Sequence, residues 1–176
     1  MKEFLALLCA ALLLACAFAS AEDASIVDFR DRFQLSGVLP EGYRFNRESE
    51  SDVSLQGKIV SDDPAAPSFE INVFFNESYA NVAGLKDLND AELENVRQSF
   101  SAENDVQFDT IETATGNRLL VIREIGSDLD FLDFYTICQG YEIELTLRAA
   151  EGQSLSDAQI NHCLEFMRTF DVIPLH

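Results

Sequence analysis

Cationic residues are scarce in this 176-residue chain: 12 Lys and Arg stand against 31 Asp and Glu, which gives a formal net charge of -19. Nucleic acids and anionic lipid surfaces repel a protein this acidic, so the charge argues against both and favours a cationic protein or peptide as partner. Apolar residues are not scarce, because 47% of the chain is hydrophobic and 14 residues are Phe. This composition argues against disorder, and the length suits one domain with its own core.

Histidine is also rare, and only His162 and His176 are present. Neither lies in a motif such as Gly-x-Ser-x-Gly, so the sequence offers no support for a catalytic serine or cysteine. No glycine-rich loop precedes a helix, which argues against a phosphate-binding site. We therefore expect a protein that is not an enzyme and that carries no cofactor.

The N-terminus carries a long apolar run, residues 4–19. The run is short for a membrane-spanning helix, which needs about 20 apolar residues. Ala19-Ser20-Ala21 follows it with the small-x-small pattern of a signal-peptidase site. Residues 1–21 are therefore predicted to be a signal peptide cleaved after Ala21, and residues 22–176 a single α+β domain.

Cleavage after Ala21 predicts a secreted or extracytoplasmic protein without an integral membrane span, and we expect a monomer. Two alternatives stay open. Leu13-Leu14-Ala15-Cys16 resembles a bacterial lipobox, in which Cys16 would be lipidated and would anchor the protein to the cell surface. The other alternative is an uncleaved N-terminal anchor.

Two cysteines, Cys138 and Cys163, follow the predicted signal peptide. Two thiols in an oxidising compartment most simply form one disulfide, and we predict that bond here. The alternative is a redox-active or metal-binding pair. A Cys-x-x-Cys spacing and a histidine cluster are both lacking, so the sequence does not favour that alternative.

Alternation of apolar and polar residues predicts strands with one buried and one solvated face at residues 53–59, 69–75 and 141–147. Residues 118–125 begin with a stretch that is apolar on both sides, which is typical of a central strand. Turn residues such as Gly116-Asn117 and Gln139-Gly140 join the last four predicted strands into an antiparallel meander. These four strands cover residues 106–114, 118–125, 130–138 and 141–149.

Two capping boxes predict helix starts, one at Asn89-Asp90-Ala91-Glu92 and one at Ser156-Asp157-Ala158-Gln159. Residues 23–33 fit helical and alternating patterns alike, and we favour a short helix that runs into a strand. The predicted fold class is α+β: an antiparallel sheet of about six to seven strands, with a C-terminal four-strand meander, packed by two or three helices. Cys163 would face inward from the last helix, towards Cys138 on a strand.

Two acidic residues of one predicted strand, Glu142 and Glu144, would project from the same face roughly 6.5–7 Å apart. Such a pair could supply the acid and the base of an inverting glycosidase, so a glycan-directed hydrolase is the alternative function. Both residues also fit the solvated face of an alternating strand, which Arg148 shares, and we favour this interpretation. A raised pKa of either carboxylate inside a cleft would favour catalysis.

Asp128, Asp130 and Asp133 crowd a predicted connection between strands. Hard oxygen ligands suit Ca²⁺, so a calcium-dependent surface protein that uses these three residues is a third interpretation. The spacing of an EF-hand loop is lacking, and we therefore keep the three residues as weak candidates and assign no metal ligand.

Four features follow one another along the chain: a strand leading into Leu39-Pro40-Glu41-Gly42-Tyr43, a central helix, a meander with Gly140-Tyr141-Glu142-Ile143, and a C-terminal helix ending in Phe170-Asp171-Val172-Ile173-Pro174. This order of elements resembles the small secreted bacterial proteins of the PsbP-like α/β/α sandwich. The resemblance covers most of the chain after residue 21 and carries over no functional residue. It implies an accessory or partner-binding protein, and we expect an exported, non-enzymatic module of this kind.

Overall fold

A computed structural model describes residues 25–101, 106–113, 115–124 and 131–175. The predicted signal peptide, with its cleavage site at Ala21 and the alternative lipidation site Cys16, lies outside these residues. Asp128, Asp130 and His176 lie outside them as well. Among the helices that the structure describes, none is long and apolar enough to cross a membrane.

The described chain contains strands, two α-helices and two short 3-10 helices. The strands are β1 (Ser25–Phe29), β2 (Phe33–Ser36), β3 (Tyr43–Glu50), β4 (Ser54–Ser61), β5 (Ser68–Phe75), β6 (Val106–Glu112), β7 (Arg118–Glu124), β8 (Phe131–Cys138), β9 (Tyr141–Arg148) and β10 (Asp171–Pro174). The α-helices are α1 (Asp90–Ser101) and α2 (Asp157–Thr169), and the 3-10 helices are Glu77–Tyr79 and Leu85–Asp87.

Seven strands form one antiparallel sheet in the order β3-β4-β5-β9-β8-β7-β6. The neighbours β6, β7, β8 and β9 follow one another in the chain, which confirms the predicted meander. β9 lies in the middle of the sheet, where it pairs with β5 on one side and β8 on the other. The mixed helix and antiparallel-sheet content agrees with the predicted α+β class.

One face of this sheet, here the covered face, is apolar across its central strands and lies beneath α2 and a second, smaller sheet. The Phe166 ring of α2 lies 5.2 Å from the Phe69 ring, centroid to centroid. Phe29 of the small sheet contacts Tyr141 with centroids 5.4 Å apart. Fully buried side chains of the covered face include Leu55, Ile59, Ile71, Phe134, Ile143 and Leu145.

The opposite face is divided into two halves. Over β6, β7 and β8, Leu93 and Val96 of α1 form a second apolar cluster with Leu120, Ile122 and Tyr135. Over β3, β4, β5 and β9 most side chains are polar, although Phe74 of β5 lies on this side as well; we call this the open half. Its polar residues include Gln56, Lys58, Glu70, Asn72, Glu144, Thr146 and Arg148.

The smaller sheet has the strand order β1-β2-β10 and was not predicted. The short helix predicted within residues 23–33 is wrong, because β1 and β2 form a hairpin there. The amide of Arg32 donates to the carbonyl oxygen of Phe29 at 2.9 Å, and Arg30 and Asp31 adopt φ of 47° and 56°. Positive φ is uncommon outside glycine, so an Arg-Asp pair does not identify a turn in the sequence.

β10 is also a correction, since the sequence analysis placed residues 170–174 at the end of a helix. The helix ends at Thr169, and residues 171–174 pair antiparallel with β2. The side chain of Asp171, which is 4% exposed, holds this strand in place. It accepts hydrogen bonds from Thr115, Asn117 and the backbone amide of Val172. These donors satisfy a carboxylate that would otherwise be costly to bury.

Both predicted capping boxes are present. In α1, the amide of Glu92 donates to Asn89 Oδ1 at 3.0 Å, and the amide of Asn89 donates to Glu92 Oε2 at 2.9 Å. In α2, the amide of Gln159 donates to Ser156 Oγ at 3.3 Å, and the amide of Ser156 donates to Gln159 Oε1 at 2.9 Å. Each box satisfies amides that have no partner inside the helix.

The predicted disulfide does not form in this structure, where Cys138 and Cys163 are free, buried thiols. Cys138 pairs with Tyr141 at one end of β9, whereas Cys163 of α2 lines the same cavity as Leu147, near the other end of β9. These two positions of β9 are separated by roughly 20 Å at the rise of a strand, and a disulfide requires Cα atoms within about 7 Å. Both cysteines do point into the apolar core, as predicted.

Candidate functional site

An apolar groove of about 610 Å³ lies on the covered face, between one side of α2 and the loops before β3 and β5. We call it the α2 groove. Phe69 and Leu147 of the sheet and Phe166 of α2 form its apolar wall. The remaining lining comes from the loops around β3 and before β5 and from the first turns of α2: Pro40, Glu41, Tyr43, Asp63, Ala65, Ala66, Pro67, Ala158, Gln159, His162 and Cys163.

Local structure fixes the loops of this groove. The Pro40-Glu41-Gly42 turn closes with a hydrogen bond from the amide of Tyr43 to the carbonyl oxygen of Pro40 at 3.0 Å. The Tyr43 hydroxyl then donates to the carbonyl oxygen of Pro67 at 3.0 Å and ties the turn to the next loop. Burial, the charge of Asp63 and the Cys163 thiol raise the pKa of Tyr43, so its hydroxyl stays a neutral donor.

The rim of the α2 groove is acidic. Glu41 and Asp63 line it and are exposed, and among the described residues no lysine or arginine does so. His162 is exposed on α2 and lines the groove as well, off the buried stripe of its helix as the sequence indicates. A mostly apolar concavity of this size with a few polar groups at its edge is typical of a ligand-binding site.

A second, smaller cleft of about 250 Å³ lies where the open half meets the C-terminal end of α1. We call it the carboxylate cleft. The rings of Phe100 from α1 and Tyr135 from β8 stand next to each other with centroids 5.2 Å apart. The polar lining comes from β5, β8 and β9: Glu70, Asn72, Asp133, Glu144, Thr146 and Arg148.

Two carboxylates of this cleft are partly desolvated. Burial raises the pKa of Glu144, and the nearby charges of Asp133 and Glu142 raise it further. Burial also raises the pKa of Asp133, and the charge of Glu70 adds to this. The Thr146 hydroxyl, which donates to Asp133 at 2.6 Å, and the Arg148 guanidinium act in the opposite direction on Asp133.

Glu70 differs from these two carboxylates because cations compensate its charge. Arg148 Nε lies 2.6 Å from Glu70 Oε2, and Lys58 Nζ lies 3.9 Å from Glu70 Oε1. Arg148 also lies over the ring of Phe131, 5.9 Å from its centroid. Arg148 also favours the ionised form of Asp133, whereas every influence on the pKa of Glu144 raises it.

The predicted Glu142/Glu144 pair is divided by the structure. Glu144 lines the cleft and has the raised pKa that the sequence analysis named as the sign of catalysis. Glu142 instead accepts hydrogen bonds on both oxygens, from the Tyr135 hydroxyl at 2.7 Å and from the side-chain amide of Asn76. The carboxylates that share the cleft with Glu144 are those of Asp133 and Glu70, and Glu70 is paired with Arg148 and Lys58.

Asp133 is the only member of the weak calcium candidates that the structure describes. It lies on β8, faces the cleft and accepts its hydrogen bond from Thr146. Within the described ranges, no group of three or more Asp, Glu, His and Cys side chains is arranged to hold a metal ion.

The residues of the α2 groove were not predicted as a site. The sequence does identify the turn at Gly42 and the proline-bounded loop of residues 62–67, and it identifies the start of α2 at Ser156. These three segments are far apart in the chain, so only the fold shows that they meet around one cavity.

Comparison with protein-family models and with curated proteins finds no match to this chain. The resemblance to the PsbP-like sandwich therefore stays a prediction.

Proposed function

We propose that the protein is an exported, non-catalytic binding module whose binding site is the α2 groove. One observation carries this proposal: the groove is large, apolar and lined by segments that hydrogen bonds hold in place. Its volume of about 610 Å³ falls in the range of roughly 300–1,000 Å³ that ligand sites occupy.

The test uses Nile red, an uncharged dye that becomes fluorescent in apolar surroundings, so charge plays no part in the result. Ala158 is an exposed residue of α2 that lines the groove, and Ala158→Trp would fill it with an indole ring. We expect the Kd of the dye to rise by about tenfold or more, equivalent to about 1.4 kcal/mol.

Ala91→Trp is the matched control. Ala91 is exposed and is the second residue of α1, as Ala158 is of α2, but it lies on the opposite face of the sheet. This variant should bind Nile red as the unchanged protein does. Absence of dye binding, or equal binding by the Ala158→Trp protein, would show that the groove is not a binding site.

The carboxylate cleft supports a second candidate, a glycan-directed hydrolase. The observation that favours it is the raised pKa of Glu144 beside a second carboxylate inside a cleft. Every influence on the pKa of Glu144 raises it and so favours the protonated form. Thr146 and Arg148, by contrast, act to lower the pKa of Asp133 and favour its ionised form. In this scheme Glu144 donates a proton to the leaving oxygen as the glycosidic bond breaks, and Asp133 accepts a proton from the attacking water.

This candidate is tested by turnover of a glycan panel. Activity should fall by about 10²-fold or more in Glu144→Gln and in Asp133→Asn, because each removes one proton-transfer group. Glu142→Gln keeps an acceptor for Tyr135 and should affect turnover much less. A panel without any turnover by the unchanged protein rules the hydrolase out.

A further inference from the structure

We propose that the α2 groove docks an extended protein segment in which apolar residues are bordered by Lys or Arg. This inference rests on the proposed function and names the occupant of the same site. It follows from the shape of the groove, from the acidic charge at its rim and from the negatively charged occupants that this charge would repel.

The shape favours a protein segment over a small molecule. The lining comes from two loops, one side of α2 and strands of the sheet, and several lining residues, including Glu41 and Ala158, are exposed. Small-molecule sites enclose about 70–90% of their ligand. An extended segment instead buries alternate side chains and leaves the others in solvent, which suits a groove that is open along one side.

The charge at the rim favours Lys or Arg beside the apolar residues. Glu41 and Asp63 border the apolar wall on the loop side, and Asp157 adjoins Ala158 at the start of α2. Among the described residues, no cationic side chain lines the groove, so these acids meet an incoming segment without a competing Lys or Arg in the lining. Because Glu41 and Asp63 are exposed, an ion pair with them requires little desolvation.

The same charge argues against other occupants. An anionic lipid surface is repelled by the acidic rim. A second copy of this chain would bring another surface of net charge -19 against Glu41 and Asp63. The apolar residues of the bound segment therefore contact the partly exposed apolar lining, Pro40, Ala66 and Pro67, and its cationic residues lie near Glu41 and Asp63.

Three synthetic peptides test the charge preference. They share the apolar core Leu-Phe-Leu and differ in the residues that border it, which are Lys, Ser or Glu on both sides. Binding to the full protein is measured by fluorescence anisotropy at low and high salt. We expect the Lys peptide to bind about tenfold more tightly than the Glu peptide at about 50 mM salt, with the Ser peptide between them, and the difference to shrink at about 500 mM.

A pair of double variants tests where the charge acts. Glu41→Gln with Asp63→Asn removes the rim charges, and Glu112→Gln with Asp109→Asn removes the same charge from the exposed edge strand β6. The rim variant should bring the affinity of the Lys peptide down to that of the Ser peptide, and the β6 variant should leave it nearly unchanged. Equal weakening in both would overturn a local role of the rim.

The possible results separate the inference from the proposed function. If all three peptides bind equally and Ala158→Trp abolishes their binding, the groove is a peptide site and the charge inference fails. If Nile red binds but no peptide does, the occupant is a small apolar molecule and the inference again fails. If neither dye nor peptides bind, the proposed function fails with it.

Discussion

The two faces of the seven-stranded sheet share the same strands but differ in what lies on them. On the covered face, α2 and the β1-β2-β10 sheet bury a continuous apolar surface. On the opposite face, α1 covers three strands and leaves polar side chains on the others. Alternation along β5 and β9 sends neighbouring residues such as Ile71 and Asn72 to these two faces. The comparison shows that the covering layers, more than the strands, decide where cavities form.

The two cavities differ because each lies on a different face of the sheet. The α2 groove is mainly apolar because buried residues of the covered face, such as Phe69 and Leu147, form its floor beside α2. The carboxylate cleft is polar because it lies near the C-terminal end of α1, beside rows that carry Asp133 and Glu144. The first cavity therefore suits recognition of apolar groups, and the second concentrates partly desolvated charge.

The largest expected effect concerns the thiols of the covered face. Burial, followed by the charge of Asp171, raises the pKa of Cys138 from 9.0 to about 12, and burial alone raises the pKa of Cys163. Three pKa units lower the thiolate fraction at neutral pH about a thousandfold. Alkylation of Cys138 under native conditions should be slower than in denaturant by about this factor, and alkylation of Cys163 should be slowed as well, as followed by peptide mass spectrometry.

Alkylation in non-reducing denaturant, again followed by peptide mass spectrometry, distinguishes the free thiols of the structure from the predicted disulfide. Both cysteines should be alkylated there without prior reduction. A Cys138–Cys163 peptide pair that appears only after reduction would show that the bond forms and that this arrangement of the strands is wrong.

A matched pair of substitutions in β5 tests the difference between the faces directly. Ile71 is 0% exposed on the covered face, so Ile71→Ala should lower the free energy of unfolding by about 2–5 kcal/mol. Asn72→Ala, one residue away on the open half, should change it by no more than about 0.5 kcal/mol. Urea unfolding measures both, and similar losses would contradict the division of the faces.

The helices that cover the two faces should depend equally on their caps. Ser156→Ala in α2 and Asn89→Ala in α1 each remove a side-chain acceptor for helix amides, and each should cost about 1 kcal/mol. Ser156→Asn and Asn89→Ser, which keep an acceptor, are the controls and should stay close to the unchanged protein. A cap effect in one helix only would mean that packing, and not capping, holds the other.

The smallest expected effect is a gain in stability, unlike the losses above, and it comes from a substitution in the carboxylate cleft. Because the folded pKa of Glu144 lies above its unfolded value, near 4.5, the folded state binds this proton more tightly. The resulting stabilisation is present below the unfolded pKa and is lost as the pH rises through the folded pKa. Glu144→Gln should therefore raise the melting temperature at neutral pH, and this gain should decrease towards pH 4.5.

Glu165→Gln, at an exposed residue of α2, is the control and should show no such pH-dependent gain. A Glu144→Gln protein with a lower melting temperature than the unchanged protein at neutral pH would contradict the burial of an uncompensated charge in the cleft.

Much of the main sheet and both helix starts could be predicted because their signals are local. The period of two in Tyr141–Arg148 identifies the buried side of β9, and Asn89 and Ser156 identify helix starts through their side-chain oxygens. The small sheet was missed because its turn uses Arg30 and Asp31 at positive φ, a conformation that the sequence does not indicate.

The candidate sites could be predicted only in part. Alternation shows that Glu142 and Glu144 share a face, but their different roles depend on Tyr135 of β8 and on Asn76, which follows β5; both donate to Glu142. Asp133 becomes the neighbour of Glu144 through the pairing of β8 with β9. The sequence likewise shows two cysteines that point inward, but not that they face opposite ends of one strand.

By itself the sequence determined the acidic surface, the two faces of each main strand and the places where α1 and α2 begin, because charge, side-chain period and capping act over a few residues. The tertiary structure alone decided which strands lie beneath a covering layer. It therefore also decided the α2 groove, the carboxylate cleft and the separation of Cys138 from Cys163. These features depend on contacts between residues distant in the chain, such as Tyr43 with Pro67 and Thr146 with Asp133, for which no local pattern exists.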